Sequence, residues 1–260
     1  MLSENFLNEW IEKSKSVAIE AGEQILTVYN SGEFGEEAKD DKSPLTLADK
    51  LAHKAIVAVL ETSSVPILSE EGKDIDYTER ANWDSFWLVD PLDGTKEFIK
   101  RNGEFTVNIA LIEGGKPVLG VVYVPVKKEM YWAVKGQGAF KSVEGQTAVQ
   151  LQCADYHLST PSMKVVGSRS HMNDETVAFM EQLKEPEVVS MGSSLKFMLV
   201  AEGKAHVYPR LAPTMEWDTG AAQIVVEEAG GSVINYKTQQ PLAYNKEILR
   251  NPYFVAYGKR

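Results

Sequence analysis

Apolar side chains recur at steps of three and four residues in two segments near the start of the chain. This period lines one face of an α-helix, so it predicts two amphipathic helices, the first ending near Gly32 and the second beginning at Thr46. The polar stretch 32–42 between them is typical of a loop or an irregular hairpin. The apolar positions are Leu7, Trp10, Val17, Ala21, Ile25 and Val28, then Leu47, Leu51, Ala55, Ile56, Val59 and Leu60.

Short apolar runs replace the helical period in the following part of the chain. They lie at residues 65–68, 86–89, 107–112, 118–124 and 130–134. Their β-branched and aromatic residues favour strands. Two glycines between the third and fourth runs indicate a β-hairpin turn at 113–117. The stretch 107–134 is therefore predicted to form an antiparallel sheet.

Strand and helix patterns alternate in the last hundred residues, which indicates an α/β layer. Strands are predicted at 165–166, 188–191, 205–208 and 232–235, and helices at 174–183, 194–202 and 218–229. Because residues 141–162 are polar and irregular, a boundary is expected near residue 150. We expect an α/β fold with an α+β subdomain at 1–150, carrying most candidate metal ligands, and an α/β subdomain at 151–260.

Composition and charge exclude several classes of protein. The 260 residues are 43% hydrophobic and 25% charged, which is ordinary for a globular chain and unlike disordered or collagen-like ones. With 27 Lys and Arg residues against 37 Asp and Glu residues, the net charge of −10 disfavours nucleic-acid binding. No run approaches the roughly 20 apolar residues that span a bilayer. With one cysteine, Cys153, and no secretory signal, we expect a cytoplasmic protein.

Two acids three residues apart follow the apolar strand at 86–89. Asp90 and Asp93 flank Pro91, and Gly94 permits a sharp turn before a helix that is predicted to begin near Lys96. Carboxylates suit hard cations such as Mg²⁺, and backbone N–H groups at a helix start suit phosphate oxygens. The segment therefore offers metal ligands and an anion cradle, although both acids could instead stabilise a turn and cap the helix.

Further acids stand at other predicted element ends. Glu70 and Glu71 follow the strand at 65–68, Asp218 opens the predicted helix at 218–229, and Asp49 lies in the first turn of the second helix. Each has a structural alternative. Asp49 could form a capping box with Thr46, the glutamates could lie in a solvated turn, and Asp218 could be a helix cap.

The order of these motifs resembles the inositol monophosphatase superfamily. The motifs are Ser69-Glu-Glu-Gly72, Asp90-Pro-Leu-Asp-Gly-Thr95 and Trp217-Asp-Thr-Gly-Ala221, and the similarity extends from about residue 1 to 258. The resemblance implies a layered αβαβα fold and a Mg²⁺-dependent, lithium-sensitive phosphomonoesterase. A finer resemblance is to the CysQ-type 3′(2′),5′-bisphosphate nucleotidases, which implies a place in sulfur metabolism. It rests on the segments 42–49, 167–171, 192–196, 208–210 and 216–218.

The resemblance implies two or more Mg²⁺ ions at one site. One ion would be held by Glu70, Asp90 and the main-chain oxygen of Leu92. A second would be held by Asp90, Asp93 and Asp218. Without cations, such a cluster of negative charges is expected to raise several carboxylate pKa values by mutual repulsion.

The same resemblance implies how a substrate is bound. Backbone groups of Gly94 and Thr95 would orient the phosphate, and Thr95 with Glu70 or Asp49 would position the attacking water. We hypothesise direct attack by metal-activated water on the 3′-phosphate of 3′-phosphoadenosine 5′-phosphate, giving AMP and phosphate. The residues expected to contact this small-molecule bisphosphate nucleotide are Glu70, Leu92, Asp93, Gly94, Thr95, Ser168, Arg169, Ser193, Lys196, Arg210 and Asp218.

The second phosphate of this substrate needs an anion site away from the metals. Lys196 and Arg210 are the candidate cations, Ser193 and Ser194 are candidate neutral donors, and Arg169 is placed at the nucleoside. Two alternatives stay open. One is a sister phosphatase for inositol monophosphate or a sugar phosphate with the same metal site, and the other is a non-catalytic binder of phosphorylated metabolites. The oligomeric state stays open, and the resemblance also allows peripheral contact with the inner membrane face.

Overall fold

The computed structural model describes residues 1–38, 44–157, 159–167 and 173–260. Helix α1 (Glu4–Ser31) begins where the Ser3 side chain accepts a hydrogen bond from the Phe6 amide, and it ends at Gly32 with φ +76°. Helix α2 (Leu47–Leu60) follows the short antiparallel strands β1 (Glu37–Ala38) and β2 (Pro44–Leu45). Both predicted amphipathic helices are confirmed. The predicted hairpin between them lies partly outside the described residues.

Seven strands form the larger sheet, and they stand in the sheet in their order along the chain. They are β3 (Ile67–Ser69), β4 (Ser85–Asp93), β5 (Thr106–Glu113), β6 (Lys116–Val124), β7 (Glu129–Val134), β8 (Gly138–Val143) and β9 (Val149–Gln150). Strand β3 is parallel to β4, and every later neighbouring pair is antiparallel. Two short helices, α3 (Tyr77–Arg80) and α4 (Thr95–Ile99), flank β4. The predicted antiparallel stretch 107–134 is therefore confirmed.

Five strands form the smaller sheet, in the order β11-β10-β12-β14-β13. They are β10 (Lys164–Gly167), β11 (Glu187–Ser190), β12 (Val207–Arg210), β13 (Ser232–Asn235) and β14 (Phe254–Tyr257). Strand β10 is parallel to β11 and β12, whereas β14 is antiparallel to β12 and β13. The helices of this part are α5 (Asp174–Met180), α6 (Leu195–Ala201) and α7 (Gly220–Glu228).

Successive side chains on the strands of the larger sheet point to opposite faces and pack into separate hydrophobic cores. On β4, Trp87 and Val89 pack with α1 and α2, whereas Phe86 and Leu88 pack with α6 and α7 between the two sheets. A third core lies between the smaller sheet and α5, and it includes Phe179. The layers therefore run helix, sheet, helix, sheet, helix, which confirms the expected αβαβα arrangement. Among the described helices, none combines the length and the apolar composition required to cross a membrane.

Gly120 permits the close approach of β6 and α7 in the central layer. A Cβ at this position would lie 2.5 Å from the Ala221 carbonyl oxygen and 2.6 Å from Ile224 Cγ2. Gly120→Ala is therefore expected to destabilise the fold by about 3 kcal/mol in chemical denaturation, since backbone must shift to admit the methyl group. As a control, Gly145→Ala meets no atom within 4 Å and is strained only by its φ of +75°, so we expect a loss of about 1 kcal/mol. Equal losses would contradict the packing argument.

Candidate active site

The end of β4 bends so that its two acids leave the sheet on the same side. The register with β5 shifts between Asp90 and Asp93, which are separated by Pro91 and Leu92. Asp90 is buried and accepts a hydrogen bond from the Leu92 amide at 3.1 Å. Gly94 has φ +97°, a conformation that favours glycine, and α4 begins at the next residue. The turn therefore presents two carboxylates directly before a helix start, as predicted.

Acids from distant parts of the chain converge at this turn. One carboxylate oxygen from each of Asp90, Asp93 and Asp218 lies within 4.8 Å of the others, although Asp218 is more than a hundred residues away along the chain. The Glu70 side chain forms a hydrogen bond with Asp90. Its amide is held at the β4 end by the Val89 carbonyl, at 3.0 Å. The four acids singled out from the sequence thus meet in space.

Burial and mutual repulsion disfavour the ionised forms of the clustered acids. Burial and the neighbouring charges of Glu70, Asp93 and Asp218 hold the pKa of Asp90 well above its usual range. Burial, with the Asp93 charge next in importance, raises the pKa of Asp218 to about 8. Mutual repulsion therefore acts as the sequence predicted, with desolvation as the larger cause.

The donor set fits Mg²⁺ and similar hard cations. Three carboxylates, of Asp90, Asp93 and Asp218, come together, Glu70 is hydrogen-bonded to Asp90, and Asp90 is almost completely buried. Buried carboxylates are normally paired or bind metals, and all-oxygen ligation is the preference of Mg²⁺. Glu70, Asp90, Asp93 and Asp218, with the main-chain oxygen of Leu92, are the residues that would hold the ions.

The turn that carries Asp218 is fixed by residues near the end of the chain. Residues Glu216–Asp218 form a single 3₁₀ turn, in which Asp218 accepts a hydrogen bond from the Met215 amide at 2.9 Å. Glu216 is fully buried and accepts from the Asn245 amide at 2.7 Å and from the Lys246 ammonium. The sequence analysis placed Asp218 at the start of a helix. In the structure this helix, α7, begins two residues later, because the acid caps its own turn instead.

Asp93 is held by the loop that precedes α6. Its Oδ2 atom accepts hydrogen bonds from Ser193 Oγ at 2.6 Å, from the Ser194 amide at 2.6 Å and from Ser194 Oγ at 2.8 Å. Both serines were expected to donate to the substrate. In the structure their donors serve Asp93, so a direct contact with substrate stays a prediction.

A cavity of about 580 Å³ opens beside the acids. Its wall joins Asp93, Gly94 and Asp218 to the two candidate cations, Lys196 and Arg210. The charge of Arg210 also lowers the pKa of Asp218, against the effects of burial and repulsion. The structure thus brings the predicted metal end and the predicted anion end of the site into one space.

The sequence profile of the Inositol monophosphatase family matches residues 7–256 of this chain. The chain belongs to the inositol monophosphatase family.

Bacterial members of this family share much of the sequence. The 3′(2′),5′-bisphosphate nucleotidase CysQ of Salmonella typhimurium is 47% identical over 247 residues, which cover 94% of this chain and 98% of that protein. The crystal structure of CysQ from Bacteroides thetaiotaomicron is 47% identical and has a TM-score of 0.85, covering 97% of this chain and 98% of that one. An IMPase from Thermotoga maritima, 24% identical with a TM-score of 0.77 over 96% of this chain and 92% of that one, shows the shared fold alone.

The remaining residues that were predicted to act on the water or the substrate have different outcomes in the structure. Asp49 is buried and accepts from the Thr46 amide at 2.8 Å and from Thr46 Oγ1 at 2.6 Å, so the capping-box alternative is confirmed while its catalytic role stays a prediction. Thr95 Oγ1 donates to the Leu92 carbonyl at 3.4 Å. Ser168 and Arg169 lie outside the described residues.

Sequence reasoning missed several polar residues around the family's acid cluster. Thr106 and Asn108 are buried on β5 beneath the serine loop, and Glu216 is buried beside Asp218. A signal for the first two exists, since they are the polar positions in and beside the apolar run at 107–112. Buried polar groups in a strand require partners, and that requirement could have indicated a network.

Proposed function

We propose that this protein is a Mg²⁺-dependent 3′(2′),5′-bisphosphate nucleotidase that removes the 3′-phosphate of 3′-phosphoadenosine 5′-phosphate, giving AMP and phosphate. Relatives that are 47–48% identical over nearly the whole chain carry that activity in their names. The observation that supports it best is the shared cavity, in which a carboxylate cluster and the cations Lys196 and Arg210 face one space. A substrate with two phosphates needs a metal site for one phosphate and a cationic site for the other.

The residues of the cluster divide the proposed reaction between them. Mg²⁺ held by Glu70, Asp90, Asp93 and Asp218 would neutralise their charges, polarise phosphoryl oxygens and lower the pKa of a water molecule. Phosphoryl transfer depends mainly on alignment and charge stabilisation. We assign the orientation of the phosphate to the backbone at Gly94. We assign the orientation of the water to Thr95 with Glu70 or Asp49.

The basic pair at the other end of the cavity is proposed to hold the 5′-phosphate. Lys196 Nζ donates to the Ser193 carbonyl at 3.2 Å, and Arg210 Nη2 donates to the Pro213 carbonyl at 3.2 Å. Arg210 Nε is buried and has no hydrogen-bond partner among the described residues. A guanidinium with an unused buried N–H group beside a cavity is suited to donate to a phosphate oxygen.

Two substitutions test this assignment. Lys196→Gln and Arg210→Gln are each expected to raise KM for 3′-phosphoadenosine 5′-phosphate about tenfold, because each removes a charge-assisted contact of roughly 1.5 kcal/mol. The same variants should hydrolyse adenosine 3′-monophosphate, which lacks the 5′-phosphate, at nearly unchanged kcat/KM. Steady-state phosphate release measures both. Lys237→Gln, in the exposed turn that follows β13, is the control.

A substrate panel separates this function from the sister activity. Phosphate release from 3′-phosphoadenosine 5′-phosphate, inositol 1-phosphate and a sugar phosphate is measured with Mg²⁺, without it, and with added Li⁺. We expect strong preference for the nucleotide, dependence on Mg²⁺ and inhibition by Li⁺. Comparable efficiency on inositol 1-phosphate would defeat the nucleotidase assignment, and nucleotide binding without any phosphate release would favour a non-catalytic binder.

A further inference from the structure

A set of buried, hydrogen-bonded polar side chains adjoins Asp93. Thr106 and Asn108 belong to β5, and both are at most 1% exposed. Ser194 is equally buried, at the start of the segment that leads into α6. Buried hydroxyl and amide groups destabilise a fold unless they are hydrogen-bonded, so the directions of their bonds are informative.

The amide of Asn108 determines those directions. Its Nδ2 atom donates to Ser194 Oγ at 3.1 Å, and its Oδ1 atom lies 3.2 Å from Thr106 Oγ1, whose one hydrogen can go to Asn108 Oδ1 or to Ser193 Oγ at 2.7 Å. An amide nitrogen can only donate. The Ser194 hydroxyl therefore uses a lone pair toward Asn108, and its single hydrogen is left for Asp93 Oδ2 at 2.8 Å or the Asp218 carbonyl at 3.2 Å.

These hydrogen bonds fix the orientation of the Asp93 carboxylate. Asp93 Oδ2 has three potential donors within hydrogen-bond distance, namely Ser193 Oγ, the Ser194 amide and Ser194 Oγ. Two donors already use the lone pairs of one carboxylate oxygen, so Oδ1 is the oxygen that would face a cation. Because the carboxylates repel one another, a tether of this kind keeps Asp93 from rotating out of the cluster.

The same buried polar residues connect the two segments that carry Asp93 and Asp218. Strand β5 belongs to the larger sheet, whereas the serine loop leads from β11 of the smaller sheet into α6. Ser194 Oγ lies between Asp93 and the main chain of Asp218. Asn108 thus acts on one hydroxyl that contacts both ligand segments.

We propose that Asn108 is a positioning residue for the metal site: by fixing Ser194 as a donor toward Asp93, it sets the affinity for divalent cations without touching cation or substrate. The inference rests on the proposed metal-dependent function. Residues that orient metal ligands from behind typically change metal affinity by 10- to 100-fold when they are replaced. Asn108 is suited to this role because the atom that it directs toward Ser194 is Nδ2, which donates and cannot accept.

The test is a double-mutant cycle on Mn²⁺ affinity, measured by electron paramagnetic resonance of the full chain without substrate. Asn108→Leu and Ser194→Ala are each expected to weaken Mn²⁺ binding about tenfold. If Asn108 acts through Ser194, the double variant binds within about twofold of Ser194→Ala, since effects within one network do not add. Thr176→Val removes a buried hydroxyl on α5, outside the network, and is expected to leave Mn²⁺ affinity unchanged.

Two further measurements exclude a merely structural role. Phosphate release by Asn108→Leu should return to near the wild-type rate at saturating Mg²⁺, whereas a damaged fold would not be rescued. If Asn108→Leu does not fold, Asn108→Ala is used in the same cycle with the same expectation. Additive losses, or unchanged Mn²⁺ affinity with a lower melting temperature in EDTA, would overturn the proposal. Failure of the wild-type chain itself to bind Mn²⁺ would instead refute the metal-dependent function and, with it, this inference.

Discussion

Asp93→Asn is expected to lower the rate of phosphate release by about 10²-fold or more without unfolding the protein. Removing one electrostatic stabiliser of a transition state commonly has an effect of this size. The amide keeps an oxygen for the serine donors at Oδ2, but it removes one negative charge from the acids that would hold the cations. The measurement is steady-state phosphate release over a range of Mg²⁺ concentrations.

The control for this change lies at the other end of the same strand. Asp84 is exposed just before β4, so Asp84→Asn makes the same chemical replacement far from the cluster and should have wild-type activity. In EDTA, Asp93→Asn should melt at the same temperature as the wild-type protein or higher, because its charge adds to the repulsion at Asp90 and Asp218. Near-normal turnover at all Mg²⁺ concentrations would contradict the ligand assignment.

Asp90→Asn is expected to increase the stability of the metal-free protein at about pH 8 while abolishing Mg²⁺-dependent activity. The pKa of Asp90 is raised by burial and by the neighbouring acids, so ionisation opposes folding when no cation is present. The amide can still accept the Leu92 amide bond at Oδ1 while carrying no charge. Denaturation with urea in EDTA measures the difference in free energy of unfolding.

The same shifts give the stability of the metal-free protein a pH dependence of definite sign. Asp90 and Asp218 have folded-state pKa values above their unfolded values, and that of Asp218 is about 8. Their stabilising contribution is complete below about pH 4, the unfolded pKa, and is lost as the pH rises through the folded pKa. The wild-type melting temperature in EDTA should therefore fall as the pH is raised from about 5 to about 8, and the fall should be smaller for Asp90→Asn.

Saturating Mg²⁺ should flatten this profile, because cation binding favours the ionised carboxylates that the metal-free fold disfavours. Asp84→Asn should keep the wild-type slope in EDTA, since its carboxylate is exposed. A profile in EDTA that is flat for both proteins would show that the cluster does not repel itself and would remove the electrostatic argument for a cation site.

The sequence predicted the parts of the fold whose signal is local. Helices α1 and α2 have long apolar periods and terminal signals at Gly32 and Thr46, and the β5–β6 hairpin has its two glycines with positive φ. The meeting of Glu70, Asp90, Asp93 and Asp218 was predicted from motif order through a family resemblance. Periodicity alone placed each acid at an element end and left its partners open.

The parts that were not predicted depend on contacts between distant residues. Strand β14 is four consecutive buried residues, Phe254–Tyr257, so it has no alternation that would mark it as a strand. Strands β8 and β9 lie at one end of the larger sheet in a stretch that is polar on average, and pairing with β7 defines them. The contacts of Ser194 with Asn108 and with Asp93 join residues 86 and 101 positions apart, which no local pattern reports.

The attachment of the Asp218 turn has a consequence for how the protein matures. Glu216 is locked by Asn245 and Lys246, and the Met215 carbonyl accepts from Asn251 at 2.7 Å. During synthesis, Glu70, Asp90 and Asp93 leave the ribosome long before these anchors exist, and chains begin to fold from their N-terminal part. A nascent chain therefore holds an incomplete set of acids. The cluster can be completed only after Asn245, Lys246 and Asn251 have been synthesised.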